Sequence, residues 1–152
     1  MPETQIDRSG STSTESAIQI VERFLDAMRA RDLERAFALL SDDIEYQNVP
    51  FPPDRGRTAA ERTLRRFMQL PGDVRIDVHH IAERDGFVLT ERTDGLRGSW
   101  YKFDFWVCGT FQVRGGKIVL WRDYFDIATF LTQLVAAPVR GLLRARTPQP
   151  AS

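Results

Sequence analysis

Apolar residues recur at helical spacing in the first part of the chain and at every second position in the later part. The first helical pattern can be capped by Ser16 or Thr14, and its apolar positions are Ala17, Ile18, Val21, Phe24, Leu25 and Met28. A second short helix is predicted over residues 32–40, where Ser41-Asp42-Asp43 ends it. A third is predicted over residues 58–70, with a core face of Ala60, Leu64, Phe67 and Met68.

Alternating apolar and polar positions predict strands. Ile44, Tyr46 and Asn48 form a short one that Pro50 stops. Four longer strands are predicted over residues 74–83, 87–96, 100–113 and 117–124, and the glycine-containing turns between them favour an antiparallel meander. Helices followed by long strands predict an α+β domain whose sheet folds around the leading helices and encloses a pocket.

The two ends of the chain differ from its middle. Residues 1–14 are polar and are predicted to be a disordered tail, as are residues 147–152. Asp126 can cap a final helix over residues 127–135, and a further short helix is predicted over residues 138–146. We therefore expect one domain over residues 15–146.

Composition narrows the class of protein. With 152 residues, 42% hydrophobic and 28% charged, the chain is typical of a single soluble globular domain. Its 21 basic and 21 acidic side chains give a net charge of +0, which argues against a nucleic-acid partner. No apolar run is long enough to span a bilayer, and no signal peptide is predicted from the first residues. The single cysteine, Cys108, is typical of the reducing cytoplasm.

Candidate chemistry follows from the strand alternation, because residues two apart share a face of a sheet. The shared faces are Tyr46 with Asn48; Val88, Thr90, Arg92 and Asp94; and Val119, Trp121, Asp123 and Phe125. If these faces line one cavity, it contains two carboxylates, a guanidinium, a phenol and an amide within apolar walls.

Each residue also has an ordinary structural interpretation. Arg92 and Asp94 can be a surface ion pair, and Asp123 can be an acid at the end of a strand. Tyr46 and Asn48 can be turn or sheet-edge residues. No metal site is predicted, because the adjacent His79-His80 should face opposite ways.

Three motifs together resemble the limonene-1,2-epoxide hydrolase family over residues 18–130. The motifs are Tyr46-Gln47-Asn48 followed by Pro50-Phe51-Pro52-Pro53, then Thr90-Glu91-Arg92-Thr93-Asp94, then Trp121-Arg122-Asp123-Tyr124-Phe125-Asp126. The resemblance implies a cone-shaped α+β fold, shared with nuclear transport factor 2 and ketosteroid isomerase, in which a curved, mixed, mostly antiparallel sheet surrounds a deep pocket. It also implies a homodimer that uses no metal and no organic cofactor.

The same resemblance implies roles for five residues. Asp123 becomes the general base, Asp94 the general acid and Arg92 the bridge between them, while Tyr46 and Asn48 position the catalytic water. The strand and helix registers add candidate pocket walls, namely Phe67, Met68, Phe105, Leu120 and Phe125.

The expected activity is therefore cofactor-independent hydrolysis of a lipophilic epoxide, cyclic or terpene-like, to a vicinal diol. Opening an epoxide with water benefits from a carboxylate that accepts a proton from the water and an acid that protonates the leaving oxygen. Two other classes stay open, a non-catalytic carrier of small molecules and an isomerase or cyclase of the same fold. A carrier has little need for two acids bridged by an arginine, and an isomerase would not incorporate water.

Overall fold

The computed structural model describes residues 15–99, 101–129 and 131–132 of the chain. The helices are α1 (Ala17–Arg29), α2 (Leu33–Phe37) and α3 (Arg57–Phe67), and the strands are β1 (Leu40–Val49), β2 (Asp54–Arg55), β3 (Asp73–Arg84), β4 (Phe87–Arg97), β5 (Lys102–Arg114) and β6 (Lys117–Phe125). The predicted disordered tails, the helix predicted over residues 138–146 and the remainder of the helix predicted from residue 127 lie outside the described residues.

The strands form one curved sheet in the order β2-β1-β6-β5-β4-β3. Strands β3 to β6 pair antiparallel with their neighbours in sequence, while β1 lies parallel to β6. A parallel pair between elements so distant in sequence is what makes the sheet mixed. The predicted α+β fold, with a mostly antiparallel sheet around the leading helices, is confirmed.

Helix α1 begins at a reciprocal cap. The Gln19 backbone N–H donates to Ser16 Oγ at 3.2 Å, and the Ser16 backbone N–H donates to Gln19 Oε1 at 2.9 Å. The buried face of α1 then packs against the inner face of the sheet, where the Phe24 ring meets Phe111 and Trp121 edge-on at centroid distances of 6.2 and 4.9 Å. Helix α1 therefore covers part of the inner, concave face of the sheet.

Strand pairing corrects one predicted boundary and one predicted core position. The second helix ends at Phe37 and not near Leu40, because Leu40 is paired with Ile118 and opens β1. In β6, Val113 of β5 pairs with Ile118 and Gln112 pairs with Leu120, so Val119 is an extra, bulged residue. Ile118, which is fully buried, therefore takes the core position expected for Val119.

The histidine pair also departs from simple alternation. The pairing of β3 with β4 shifts between Val78 and His80. His79 Nε2 lies 2.9 Å from Thr93 Oγ1 and His80 Nδ1 lies 2.8 Å from Glu91 Oε2, on the outer face of β4. The expectation that the two rings face opposite ways was wrong, because the bulge turns both toward the outer face.

The last described segment begins where the sequence predicted a helix. Asp126 Oδ1 accepts hydrogen bonds from the backbone N–H groups of Ala128 at 2.9 Å and Thr129 at 3.2 Å, and residues 127–129 are helical. Asp126 is thus a helix cap. None of the helices within the described ranges combines the length and apolar character needed to cross a membrane.

Phe24 provides a test of the packing between helix and sheet. It is fully buried, so Phe24→Ala should lower the free energy of unfolding by about 3–5 kcal/mol through lost burial and a residual cavity. Phe51, with 52% of its surface exposed, is the matched control, and Phe51→Ala should cost less than about 1 kcal/mol. Urea unfolding of both variants measures the difference, and equal losses would contradict the packing described here.

Candidate active site

A cavity of about 210 Å³ lies between the inner face of the sheet and helices α1 and α3. Most of its lining is apolar and includes Leu25, Met28, Phe51, Leu64, Val74 and Ile76. All five residues to which the sequence assigned chemistry, Tyr46, Asn48, Arg92, Asp94 and Asp123, also line it. The structure therefore brings the three motifs to one place, and the residues' roles stay predictions.

The parallel pairing of β1 with β6 places the first motif beside the third. Tyr46 is the cross-strand partner of Trp121, and Asn48 is the partner of Asp123. Their side chains share the inner face, where the Tyr46 and Trp121 rings lie 4.4 Å apart between centroids. The phenol and the amide are thus held next to the Asp123 carboxylate by backbone register.

Arg92 lies at the centre of the polar set and has no exposure to solvent. Its Nε donates to both carboxylate oxygens of Asp94 at 2.9 Å, and its Nη2 donates to Asp123 Oδ2 at 2.5 Å. Charge-assisted hydrogen bonds of this kind are stronger than neutral ones. One guanidinium therefore connects an acid on its own strand with an acid on β6.

Two further side chains complete the shell around this bridge, and neither was assigned a role from the sequence. The Trp121 indole N–H donates to Asp123 Oδ1 at 2.7 Å, and Thr90 Oγ1 accepts from Arg92 Nη1 at 3.0 Å. The signal for both was available, since Thr90 and Trp121 share strand faces with Arg92 and Asp123. Asp123 thus receives a hydrogen-bond donor on each of its two carboxylate oxygens.

The phenol and amide form their own contact. Asn48 Nδ2 donates to the Tyr46 hydroxyl oxygen at 2.6 Å, so the Tyr46 proton is free to point elsewhere in the cavity. Burial, together with the negative charge of Asp123, raises the pKa of Tyr46 above its usual value. Tyr46 therefore stays neutral and can act as a hydrogen-bond donor.

Burial acts on the pKa of both cavity-lining charged groups of β4, Asp94 and Arg92. It raises the pKa of Asp94 to about 6; the Arg92 charge opposes this rise and the Asp123 charge adds to it. Burial lowers the pKa of Arg92, but the charges of Asp123 and Asp94 outweigh it and leave the net pKa raised. Arg92 is thus a permanent cation, while Asp94 can carry a proton near neutral pH.

Four of the five expected wall residues line the cavity, namely Phe67, Met68, Phe105 and Phe125. Phe67, expected to face the core, is 42% exposed, because α3 ends there. Leu120 is a correction. It is not among the lining residues, because strand alternation turns it to the face opposite Trp121.

No group of three or more histidine, cysteine, aspartate or glutamate side chains in the described ranges is placed to hold a metal ion. The polar groups of the cavity are instead two carboxylates joined by a guanidinium, with a phenol and an amide alongside. Such a set can accept a proton from one atom while donating a proton to another.

Comparison with known proteins identifies the family. Residues 15–136 match the family described as the limonene-1,2-epoxide hydrolase catalytic domain. The chain is 42% identical over 130 residues to epoxide hydrolase EphG of Mycobacterium tuberculosis, covering 84% of this chain and 83% of that protein.

Solved structures extend the likeness to the fold. An epoxide hydrolase of M. tuberculosis, described as limonene-epoxide-hydrolase-like, superposes with a TM-score of 0.74 at 40% identity and covers 84% of this chain and 96% of that one. A Catenulispora acidiphila protein with a ketosteroid isomerase-like fold has a TM-score of 0.66 at 19% identity, covering 76% and 91%, and shares the fold alone. The family match and the identity to EphG show that the chain belongs to the limonene-1,2-epoxide hydrolase family and is an epoxide hydrolase.

Proposed function

We propose that this epoxide hydrolase adds water directly to a lipophilic epoxide, cyclic or terpene-like, and yields a vicinal diol without a covalent intermediate. The observation that carries the proposal is the bridge. A solvent-excluded Arg92 holds Asp94 and Asp123 together in one apolar cavity, and the raised pKa of Asp94 lets that residue retain a proton.

In this mechanism Asp123 is the base and Asp94 is the acid. A water beside Asp123 loses a proton to that carboxylate as its oxygen forms a bond to an epoxide carbon. The carbon–oxygen bond of the ring breaks, and the released oxygen takes the proton of Asp94. A proton then returns from Asp123 to Asp94 before the next turnover, and Arg92 stabilises whichever carboxylate is ionised.

Tyr46 and Asn48 hold the attacking water. The Asn48 amide already donates to the Tyr46 oxygen, which leaves the Tyr46 hydroxyl proton and the Asn48 carbonyl oxygen for other partners. A donor and an acceptor beside Asp123 can orient a water so that one lone pair faces the substrate. The apolar walls suit a hydrocarbon ring and exclude competing water.

We further propose a homodimer, for which the family resemblance and the outer face of the sheet give support, and a cytoplasmic location, for which the single cysteine gives support. Leu89, Trp106 and Tyr124 lie on that face with 52%, 53% and 41% of their surfaces exposed. An exposed apolar patch of this kind is typical of an interface between subunits.

Trp106→Glu should shift the sedimentation coefficient from dimer to monomer, and an unchanged dimer would contradict this interface.

Asparagine substitutions test the two carboxylates. Asp123→Asn and Asp94→Asn should each lower kcat by about 10²–10⁴-fold on a cyclic terpene epoxide, because each removes one proton-transfer group while keeping the side-chain shape. Glu45→Gln is the matched control. Glu45 is also paired with an arginine, Arg122, at 2.7 Å, but their paired side chains lie outside the cavity, so its activity should be unchanged.

The measurement is initial hydrolysis rate on cyclic terpene, simple cycloalkene and bulky lipid or steroid epoxides, with folding of each variant checked by circular dichroism. Folded asparagine variants that hydrolyse any of these at the wild-type rate would contradict the acid–base assignment. Tight binding without turnover across all three classes would favour the carrier.

The pH dependence tests whether the pair of carboxyls must hold a proton for catalysis. The acid is active when protonated, so kcat/KM should fall by about tenfold per pH unit above the pKa of about 6. The apparent value belongs to the coupled pair of carboxyls and not to one residue alone. A kcat/KM that instead rises through pH 6 to a plateau would show that both carboxyls must be ionised, which contradicts the role of Asp94 as acid.

A further inference from the structure

The bridge between Arg92 and Asp123 spans a strand to which neither residue belongs. Arg92 is on β4 and Asp123 is on β6, and β5 lies between these two strands. Since neighbouring strands are about 4.8 Å apart, the guanidinium has to pass over the inner face of β5 to reach Asp123. The residue of β5 beneath this crossing is Gly109, the cross-strand partner of both Thr90 and Asp123.

The space above Gly109 is the space that the bridge occupies. A Cβ atom at this position would lie 2.1 Å from Arg92 Nη1, 2.7 Å from Thr90 Oγ1 and 3.0 Å from Asp123 Oδ1. These distances are below normal contact, so even a methyl group would displace the guanidinium. The adjacent inward-facing residues of β5, Val107 and Phe111, both carry bulky side chains and are buried.

Backbone conformation does not explain this glycine. Within the described part of the chain, the glycines of positive φ are Gly56, Gly72, Gly86, Gly115 and Gly116, and Gly109 is not among them. Glycine in the interior of a strand weakens that strand, and it commonly marks a close approach by another group. The approaching group here is the Arg92 side chain.

We infer that Gly109 is a positioning residue whose missing side chain opens a notch in β5, through which the Arg92 guanidinium reaches Asp94 and Asp123 at once. This inference rests on the proposed roles of those two carboxyls. Within the notch Nε faces Asp94, Nη2 faces Asp123 and Nη1 faces Thr90, so each guanidinium nitrogen has a partner. A displacement of the guanidinium therefore lengthens at least one of these contacts.

Gly109→Ala is the direct test. Because misplacing a catalytic group by about 1 Å costs about 10²-fold, kcat should fall by about 100-fold, while KM changes by less than about threefold since the apolar walls are untouched. The matched control is Cys108→Ala on the other face of the same strand, and it should keep wild-type values. A Gly109→Ala enzyme with wild-type kcat would overturn the inference.

A double-mutant cycle separates this role from a general effect on the strand. Arg92→Lys removes Nη1, the atom that the added methyl group meets first. Gly109→Ala should therefore lower kcat by less than about threefold when Lys already replaces Arg92. A further loss of about 100-fold in that background would show that Gly109 acts through something other than the bridge, and would overturn the inference.

A readout that does not depend on turnover distinguishes this inference from the proposed function. The measurement is the ¹³C resonance of the Asp94 carboxyl, followed with pH. The Arg92 charge lowers the pKa of Asp94. Because the methyl group of Gly109→Ala displaces the guanidinium, the Asp94 carboxyl should titrate at higher pH in this variant. Cys108→Ala should leave the titration unchanged. An Asp94 titration that does not move in Gly109→Ala overturns the notch, whatever the activity of the protein.

Failure of the proposed function has a different signature. Wild-type rates in Asp94→Asn and Asp123→Asn would contradict the proposed catalytic roles of the two carboxyls. The Asp94 titration in Gly109→Ala would still test the notch. If Gly109→Ala folds only when Lys replaces Arg92, the clash is confirmed. If Gly109→Ala fails to fold both in the wild-type chain and together with Arg92→Lys, then β5 itself needs a glycine at this position in order to fold, and the inference is overturned.

Discussion

A guanidinium without access to water has to find its hydrogen-bond acceptors inside the protein, and Arg92 imposes this requirement on the sheet. Removing a charge from water costs several kcal/mol, which only well-placed partners offset. Those partners come from two strands, Thr90 and Asp94 on β4 and Asp123 on β6. The register of β4, β5 and β6 is therefore tied to the position of one side chain.

The same burial that makes Arg92 need its partners also provides the chemistry. An apolar cavity disfavours two ionised carboxylates, and its low polarity raises the proton affinity of Asp94. The Asp123 carboxylate has different hydrogen-bond partners from Asp94, since the Trp121 indole donates to one of its oxygens and the Arg92 guanidinium donates to the other. Unequal hydrogen bonding thus distinguishes two carboxyls that share one cation.

Much of this site follows from alternation along the strands. The inward faces holding Arg92 with Asp94 and Trp121 with Asp123 were predictable because side chains on a strand have a period of two. The rule fails at the bulges, where Ile118 replaces Val119 in the core and both histidines face outward. Leu120, predicted as a wall residue, obeys the rule, which places it on the face opposite Trp121 and away from the cavity.

Other features depend on contacts between distant parts of the chain. The parallel pairing of β1 with β6, which puts Tyr46 and Asn48 beside Asp123, has no local signal and was not predicted. The family resemblance implied only a mixed sheet and a site shared by the three motifs. The role of Gly109 needs the positions of three strands at once, although a glycine inside a strand is itself a visible anomaly. Sequence patterns thus predicted the members of the site, while non-local packing determined how they meet.

Isotope labelling in a single turnover tests the central claim, direct attack by water, most directly. With enzyme in excess over an epoxide in ¹⁸O-labelled water, the diol of the first turnover should carry one labelled oxygen, because the attacking atom comes from solvent. An unlabelled first-turnover diol, with label appearing instead in the carboxyl of Asp94 or Asp123, would show a covalent ester and contradict the account.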